Sequence, residues 1–186
     1  MNDNVLVFAS IILGVAVADQ LTSLHRLLKR RSEVRWDPLL LWVAALVLMT
    51  QIQIWWTLAG ARQQAPITIG AFLPMLVLLV LLFLLAAASL PDELDEGRVD
   101  LRAYYAQQGR YIWTLFALAL SWLIGTQVVQ GAIAAGRFSI GENADELGII
   151  AFMASLAIVR WRPWHVVGLA VLTYTGPVGW LARALG

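Results

Sequence analysis

Few residues of this chain are chemically able to bind or transfer anything, and most of those lie within long apolar runs. Asp19 is the acidic residue inside such a run. A carboxylate at the centre of a membrane helix costs about 2.5–3.5 kcal/mol on insertion scales, so it faces protein or water and often marks an ion path or a proton relay. Thr22, Ser23 and Arg26 follow three, four and seven residues later and share its helix face. The same four residues also suit a plain salt bridge or hydrogen bond inside a bundle. A second polar set is uncharged: Thr50, Gln51, Gln53 and Thr57, then Thr126, Gln127 and Gln130, then Thr173, Tyr174 and Thr175 beside Gly176-Pro177. Amides and hydroxyls in a membrane bond either a polar ligand or one another across helices. Gln51 and Gln53 are two residues apart and cannot both face one neighbour. If this set and Asp19 lined one cavity, the chain would have a path across the membrane.

The two histidines, His25 and His165, fall near helix ends, where paired imidazoles could ligate a metal or haem. No helix carries two ligands and no Glu-x-x-His occurs, so two interfacial histidines, one beside Arg26 and one between Trp164 and Val166, need no cofactor. Nine tryptophans are present. Trp36, Trp55, Trp56, Trp161, Trp164 and Trp180 suit interfacial belts. Trp42, Trp113 and Trp122 lie nearer the apolar zone, where rings suit a quinone, a pigment, lipid or a partner subunit. Cysteine is absent, which removes disulfides and thiolate chemistry. No catalytic motif is present: neither a nucleophile elbow, a P-loop nor a His-Glu-x-x-His. Gly136-Arg137-Phe138-Ser139-Ile140-Gly141 lacks the lysine of a phosphate loop. The expectation is a protein that is not an enzyme.

The elements that hold these residues follow from composition. The 186 residues are 60% hydrophobic and 13% charged, against about 25% charged in soluble domains. A net charge of +1 gives no field for nucleic acid. A bilayer core of roughly 30 Å needs about 20 apolar residues per helix. The runs at 5–28, 38–60, 67–90, 111–135, 147–161 and 163–182 predict a single all-α domain, a transmembrane bundle of six spans. The fifth is the shortest and the least able to cross fully. The N-terminus lacks the basic residues of a signal peptide, so the first run reads as a retained span. Arg26, Lys29, Arg30, Arg31, Arg35, Arg98, Arg102, Arg110, Arg160 and Arg162 fall on one side, and Arg62, Arg137 and Arg183 on the other. Basic loops stay in the cytoplasm, which predicts both termini outside, in a bacterial inner membrane.

The loop at 91–110 is the sizeable polar segment. Asp92, Glu93, Asp95 and Glu96 form an acidic cluster. Asp100 suits an N-cap, and Leu101, Tyr104, Tyr105 and Tyr111 then follow at helical spacing, as in a short interfacial helix. With Arg102, these residues make a plausible docking surface. Leu90-Pro91-Asp92-Glu93, Val99-Asp100-Leu101-Arg102-Ala103-Tyr104-Tyr105 and Asp19-Gln20…His25-Arg26 resemble segments of small bacterial multi-span membrane proteins of no assigned function. The resemblance covers about a third of the chain and implies no activity and no site.

Small residues let membrane helices approach closely. Ser10, Gly14, Ala18 and Thr22 make one stripe on the first span, and Ala117, Ser121 and Gly125 one on the fourth. These predict that the two spans pack together at the bundle centre, where Leu at Gly14 or Gly125 would destabilise the fold. Three functions remain open. One is a non-catalytic accessory subunit of a larger membrane complex, partnered by lipid and by other subunits or itself. The second is a small carrier or channel using Asp19 and the Gln/Thr set. The third is a haem-, pigment- or quinone-binding protein.

Overall fold

The computed structural model describes residues 3–60, 69–92, 98–137, 141 and 143–180. Helices dominate: α1 (Asp3–Lys29), α2 (Pro38–Gly60), α3 (Ile69–Ser89), α4 (Leu101–Ala135), α5 (Ala144–Ile158) and α6 (Arg162–Thr173). A π-helical turn, Tyr174–Val178, continues α6, and the chain stays helical to Trp180. Among the described residues, four helices are long and apolar enough to cross a membrane: Asn4–Lys29, Pro38–Gly60, Phe72–Ser89 and Leu101–Ala135. The chain is therefore an all-α membrane protein. With no water in the bilayer, each spanning segment must satisfy its backbone internally, and these apolar sequences do so as helices.

Pairing follows chain order only in part. α1 packs chiefly on α3, α3 on α4, and α4 on α5, while α2 touches α1, α3 and α6. The core has two parts. One joins Ala16 and Leu27 of α1 to Leu40, Val43 and Val47 of α2, Leu85 of α3, Ile112, Trp113 and Phe116 of α4, Met153 and Leu156 of α5, and Leu169 of α6. The smaller part joins Ala9 and Leu13 to Leu78, Leu79, Leu82 and Ala119. α5 and α6 meet where Gly168 lies under Leu156: a Cβ at Gly168 would stand 2.5 Å from a Leu156 methyl.

α4 begins at Leu101, ten residues before the start expected from hydropathy. At 1.5 Å per residue its 35 residues run about 52 Å, well beyond the hydrocarbon core. The extra turns are amphipathic. Leu101, Tyr105, Gly109 and Ile112 are buried, and the residues between them are mostly exposed. Asp100 is the N-cap, accepting from the backbone N–H groups of Arg102 and Ala103. Two two-residue strands, Val34–Arg35 (β1) and Val99–Asp100 (β2), pair in parallel and tie the chain after α1 to the start of α4. Nothing in so short a stretch of sequence signals them.

The expected packing of α1 on α4 is corrected. α3 packs against both, and the small stripe of α1 points away from the core: Gly14, Ala18 and Thr22 are exposed and Ser10 half-buried. Ala117, Ser121 and Gly125 are half-buried on α4. A Cβ at Gly14 or Gly125 would meet no heavy atom within 4 Å. The helix α1 presents Ala9, Leu13 and Ala16 to the core instead, on its opposite face.

Candidate functional site

The basic end of the molecule, where α1 finishes and α2, α4 and α6 begin, is held by buried polar contacts. Asp37 precedes Pro38, and its Oδ1 accepts the N–H of Leu39, as an N-cap does. It is 3% exposed, and Arg162 Nη2 at the start of α6 donates to both of its carboxylate oxygens, at 2.9 and 2.8 Å. The Arg162 guanidinium also stands 5.3 Å from the centre of the Tyr105 ring, within cation–π range. Tyr105 O–H lies 2.6 Å from His165 Nδ1, and its oxygen accepts from Trp113 Nε1 at 2.8 Å. His165 Nε2 lies 2.8 Å from the Val159 carbonyl and 3.2 Å from that of Leu156. Carbonyls only accept, so Nε2 carries the proton and Nδ1 accepts from Tyr105. His165 thereby caps the carbonyl end of α5.

On the α1 side Ser23 is buried, and so is Gln20 rather than its neighbour Asp19. Gln20 Nε2 donates to the Ala44 carbonyl (2.8 Å) and to Ser89 Oγ (3.0 Å). Ser23 donates to Asp92 Oδ1 (2.7 Å), and Arg26 donates to the Asp92 carbonyl (2.9 Å). These bonds hold the chain where it leaves α3. Tyr104 O–H donates to the Ala88 carbonyl. Arg35 pairs with Asp100 at 3.1 Å. The N–H groups of Ala103 and Arg102, with the Arg35 guanidinium, hold the Asp100 carboxyl below its ordinary value.

The opposite half is built otherwise. A chamber of about 490 Å³ opens between α2, α4, α5 and the π turn. It brings together Thr50, Gln53, Thr57, Gln127 and Thr175 from the polar set that the sequence singled out, among Leu46, Phe116, Leu120 and Leu172. Its hydroxyls bond within their own helices: Thr50 to Leu46, Thr57 to Gln53 and Thr175 to Val171 carbonyls. Gln53 lies beside the π turn, its Oε1 3.9 Å from where a Cβ at Gly176 would stand. No charged residue lines the chamber among the described residues.

The remaining expected residues lie apart from it. Gln51 is 1% exposed on another face of α2, and neither its Nε2 nor its Oε1 has a hydrogen-bond partner among the described residues. It borders a shallow groove with Ser10, Gly14, Val17 and Trp55. Thr126 bonds its own helix, and Gln130 is exposed. Thr173 accepts from Trp42 Nε1, and Tyr174 is 72% exposed. Asp19 is half-buried on α1 and lines neither the chamber nor the groove. Neither the chamber nor the groove, as the described residues form them, brings Asp19 together with the Gln/Thr set.

The two histidines are also separate. His25 is exposed on α1, which packs on α2 and α3, whereas His165 is on α6, against α2 and α5. Both ring nitrogens of His165 are engaged, so neither is free for a metal. Trp113 is buried in the Tyr105 network, and Trp122 Nε1 donates to the Pro74 carbonyl, which bridges α4 to α3. Of the expected docking loop, Asp92, Asp100, Tyr104 and Tyr105 are used inside the molecule and Arg102 is exposed. Glu93, Asp95 and Glu96 lie outside the described residues.

Sequence reasoning missed Asp37, Arg162 and Gln20. Asp-Pro at a helix start signals a cap, and that signal stands at 37–38. Nothing local pairs Asp37 with a residue 125 positions away. No family model matches the chain, and no curated protein or solved structure is significantly similar to it.

Proposed function

We propose that this is a six-span protein of a bacterial inner membrane, both termini outside, that passes a small uncharged molecule by way of the chamber. The observation that carries the reading is the chamber itself: about 490 Å³ of space between apolar helices, lined by amides and hydroxyls as well as aliphatic groups. Small-molecule sites have this size and this mixture of apolar wall and few polar groups. The uncharged lining favours a neutral, hydrogen-bonding solute over an ion. The amides of Gln53 and Gln127 are the groups to orient it, because the threonine hydroxyls already donate to their own helices. The π turn at Gly176-Pro177 supports the reading, since such turns inside helices frequently accompany functional sites. Ten of the thirteen Lys and Arg fall on the basic side, which favours the stated orientation. α6, helical as far as Trp180, supplies the sixth span, and α5, with 15 residues, the short fifth.

The chain has no cysteine, so single cysteines can be placed at will. Gln127→Cys and Thr175→Cys should react with a membrane-impermeant maleimide in intact cells, and Gln107→Cys only after permeabilisation. Reconstituted protein should speed the entry of small polyols or amides into vesicles, and Gln53→Leu with Gln127→Leu should abolish that gain. Chamber cysteines that stay unlabelled, or wild-type vesicles no faster than empty ones, would remove this reading.

One observation favours the accessory-subunit reading as a second. The small stripe of α1 faces outward, and the Gln51 amide, without a partner among the described residues, lies beneath the groove beside it. A helix of another subunit seated there would pack on Gly14. Stoichiometric co-purification of a second membrane protein, lost in Gly14→Leu, would establish it.

A further inference from the structure

A second cavity, of about 280 Å³, opens at the basic end between the first turns of α4 and the α5–α6 junction. Arg110, Arg160 and Arg162 all line it, with Gln107, Tyr105 and His165. Of the three guanidiniums, Arg162 is committed to Asp37, which fixes its position. Arg110 and Arg160 are exposed and pair with no carboxylate among the described residues. Asp37 neutralises one charge and leaves two. The cavity also abuts the start of α6, whose cap residue Trp161 makes no side-chain cap bond. The positive end of that helix dipole adds to the same field. Like charges gathered at one opening raise each other's energy unless an anion joins them. The floor is apolar, of Leu156 and Ala157, and accommodates aliphatic substituents.

We infer that this cavity binds a phosphate group, through Arg110 and Arg160, with Arg162 as the fixed wall behind them. Planar guanidiniums match the paired oxygens of a phosphate, and each can donate two parallel hydrogen bonds. The volume suits a headgroup-sized ligand. The phosphate belongs either to an anionic phospholipid or to a soluble phosphate ester. The site is distinct from the uncharged chamber and stands whether or not the chamber passes a solute.

Thermal unfolding of the intact protein in neutral detergent tests this, with inorganic phosphate as one probe and phosphatidylglycerol, against phosphatidylcholine, as the other. Wild type should be stabilised by at least one of the two anionic probes and not by phosphatidylcholine. A response to phosphatidylglycerol alone assigns the lipid source, and a response to inorganic phosphate assigns the soluble one. Arg110→Gln with Arg160→Gln should weaken the response roughly ten- to a hundred-fold, the value of charged hydrogen bonds of this kind. Arg102→Gln, on the same helix but off the cavity, should leave it unchanged. If the double variant fails to fold, Arg110→Lys with Arg160→Lys keeps the charge, and weaker binding there carries the same meaning. The proposal is overturned if neither probe stabilises wild type, or if Arg102→Gln loses as much as the double variant.

Discussion

The two halves of this bundle use their polar side chains to opposite ends. At the basic end, side chains bond across elements: Asp37 to Arg162, Tyr105 to His165, Gln20 to Ser89 and Ala44, and Ser23 to Asp92. In the opposite half the chamber hydroxyls of Thr50, Thr57 and Thr175 bond back along their own helices, and no chamber side chain bonds another helix among the described residues. A cross-element bond fixes the distance between two helices. A bond within a helix fixes nothing between helices and leaves room. One end is therefore a clamp and the other an opening, and burial of polar groups alone does not tell which.

The largest effect expected is at the clamp. Asp37→Ala leaves Arg162 without its partner and should cost about 3 kcal/mol, the low end for breaking a buried pair, because the Arg162 side chain is 35% exposed. Circular-dichroism melts in detergent will show it. Asp37→Leu combined with Arg162→Leu should cost less than either single change, because two apolar groups leave no stranded charge. Additive losses would mean that the two residues act separately and that this end is no clamp.

The next effect is steric. Gly168→Val presses into the buried Leu156 and should cost roughly 1–3 kcal/mol, the range for overpacking. Gly14→Leu, in open space on α1, should leave the melting of the isolated protein unchanged. That contrast bears on what the sequence discloses. Apolar run length marks the helices well, since α2 occupies the expected 38–60. The Asp100 cap was legible because Ser, Thr, Asp and Asn at helix starts act locally. Stripes of small residues were misleading: Gly14 and Gly125 share the right spacing, but spacing gives a face and not the direction in which the face points. The buried amide of α1 was missed by one residue, because Asp19 and Gln20 differ in burial only through the rotation of α1 against α3. The chamber was half legible. The polar types on α2, α4 and α6 were evident, but which of Gln51 and Gln53 faces the chamber depends on how α2 is rotated against its neighbours.

A smaller effect separates the hydroxyls. Ser23→Ala strips a bond from Asp92 and should cost about 1 kcal/mol. Thr57→Val or Thr175→Val removes only a bond to the same helix, whose carbonyl keeps its backbone partner, and should change stability by less than about 0.5 kcal/mol. Equal losses at the two ends would erase the distinction between clamp and opening.

The smallest effect is a pH dependence at the clamp. The N–H groups of Ala103 and Arg102, and the Arg35 guanidinium, stabilise the Asp100 carboxylate and lower its pKa in the folded protein. A group whose folded pKa is depressed contributes stability that is complete above its unfolded pKa. That contribution is lost as pH falls through the folded value. The Asp100 side chain is partly open to solvent, which keeps the contribution small. Wild type should melt above Asp100→Ala at neutral pH, and the gap should narrow as acid takes the solution below the ordinary carboxylate range. Asp100→Asn, which caps the helix without titrating, should lose less at neutral pH than Asp100→Ala and hold its advantage over it in acid. A gap between wild type and Asp100→Ala that stays constant down to the lowest pH would show that the carboxylate charge adds nothing, and that the turn from β2 into α4 is held by Val99 and the backbone alone.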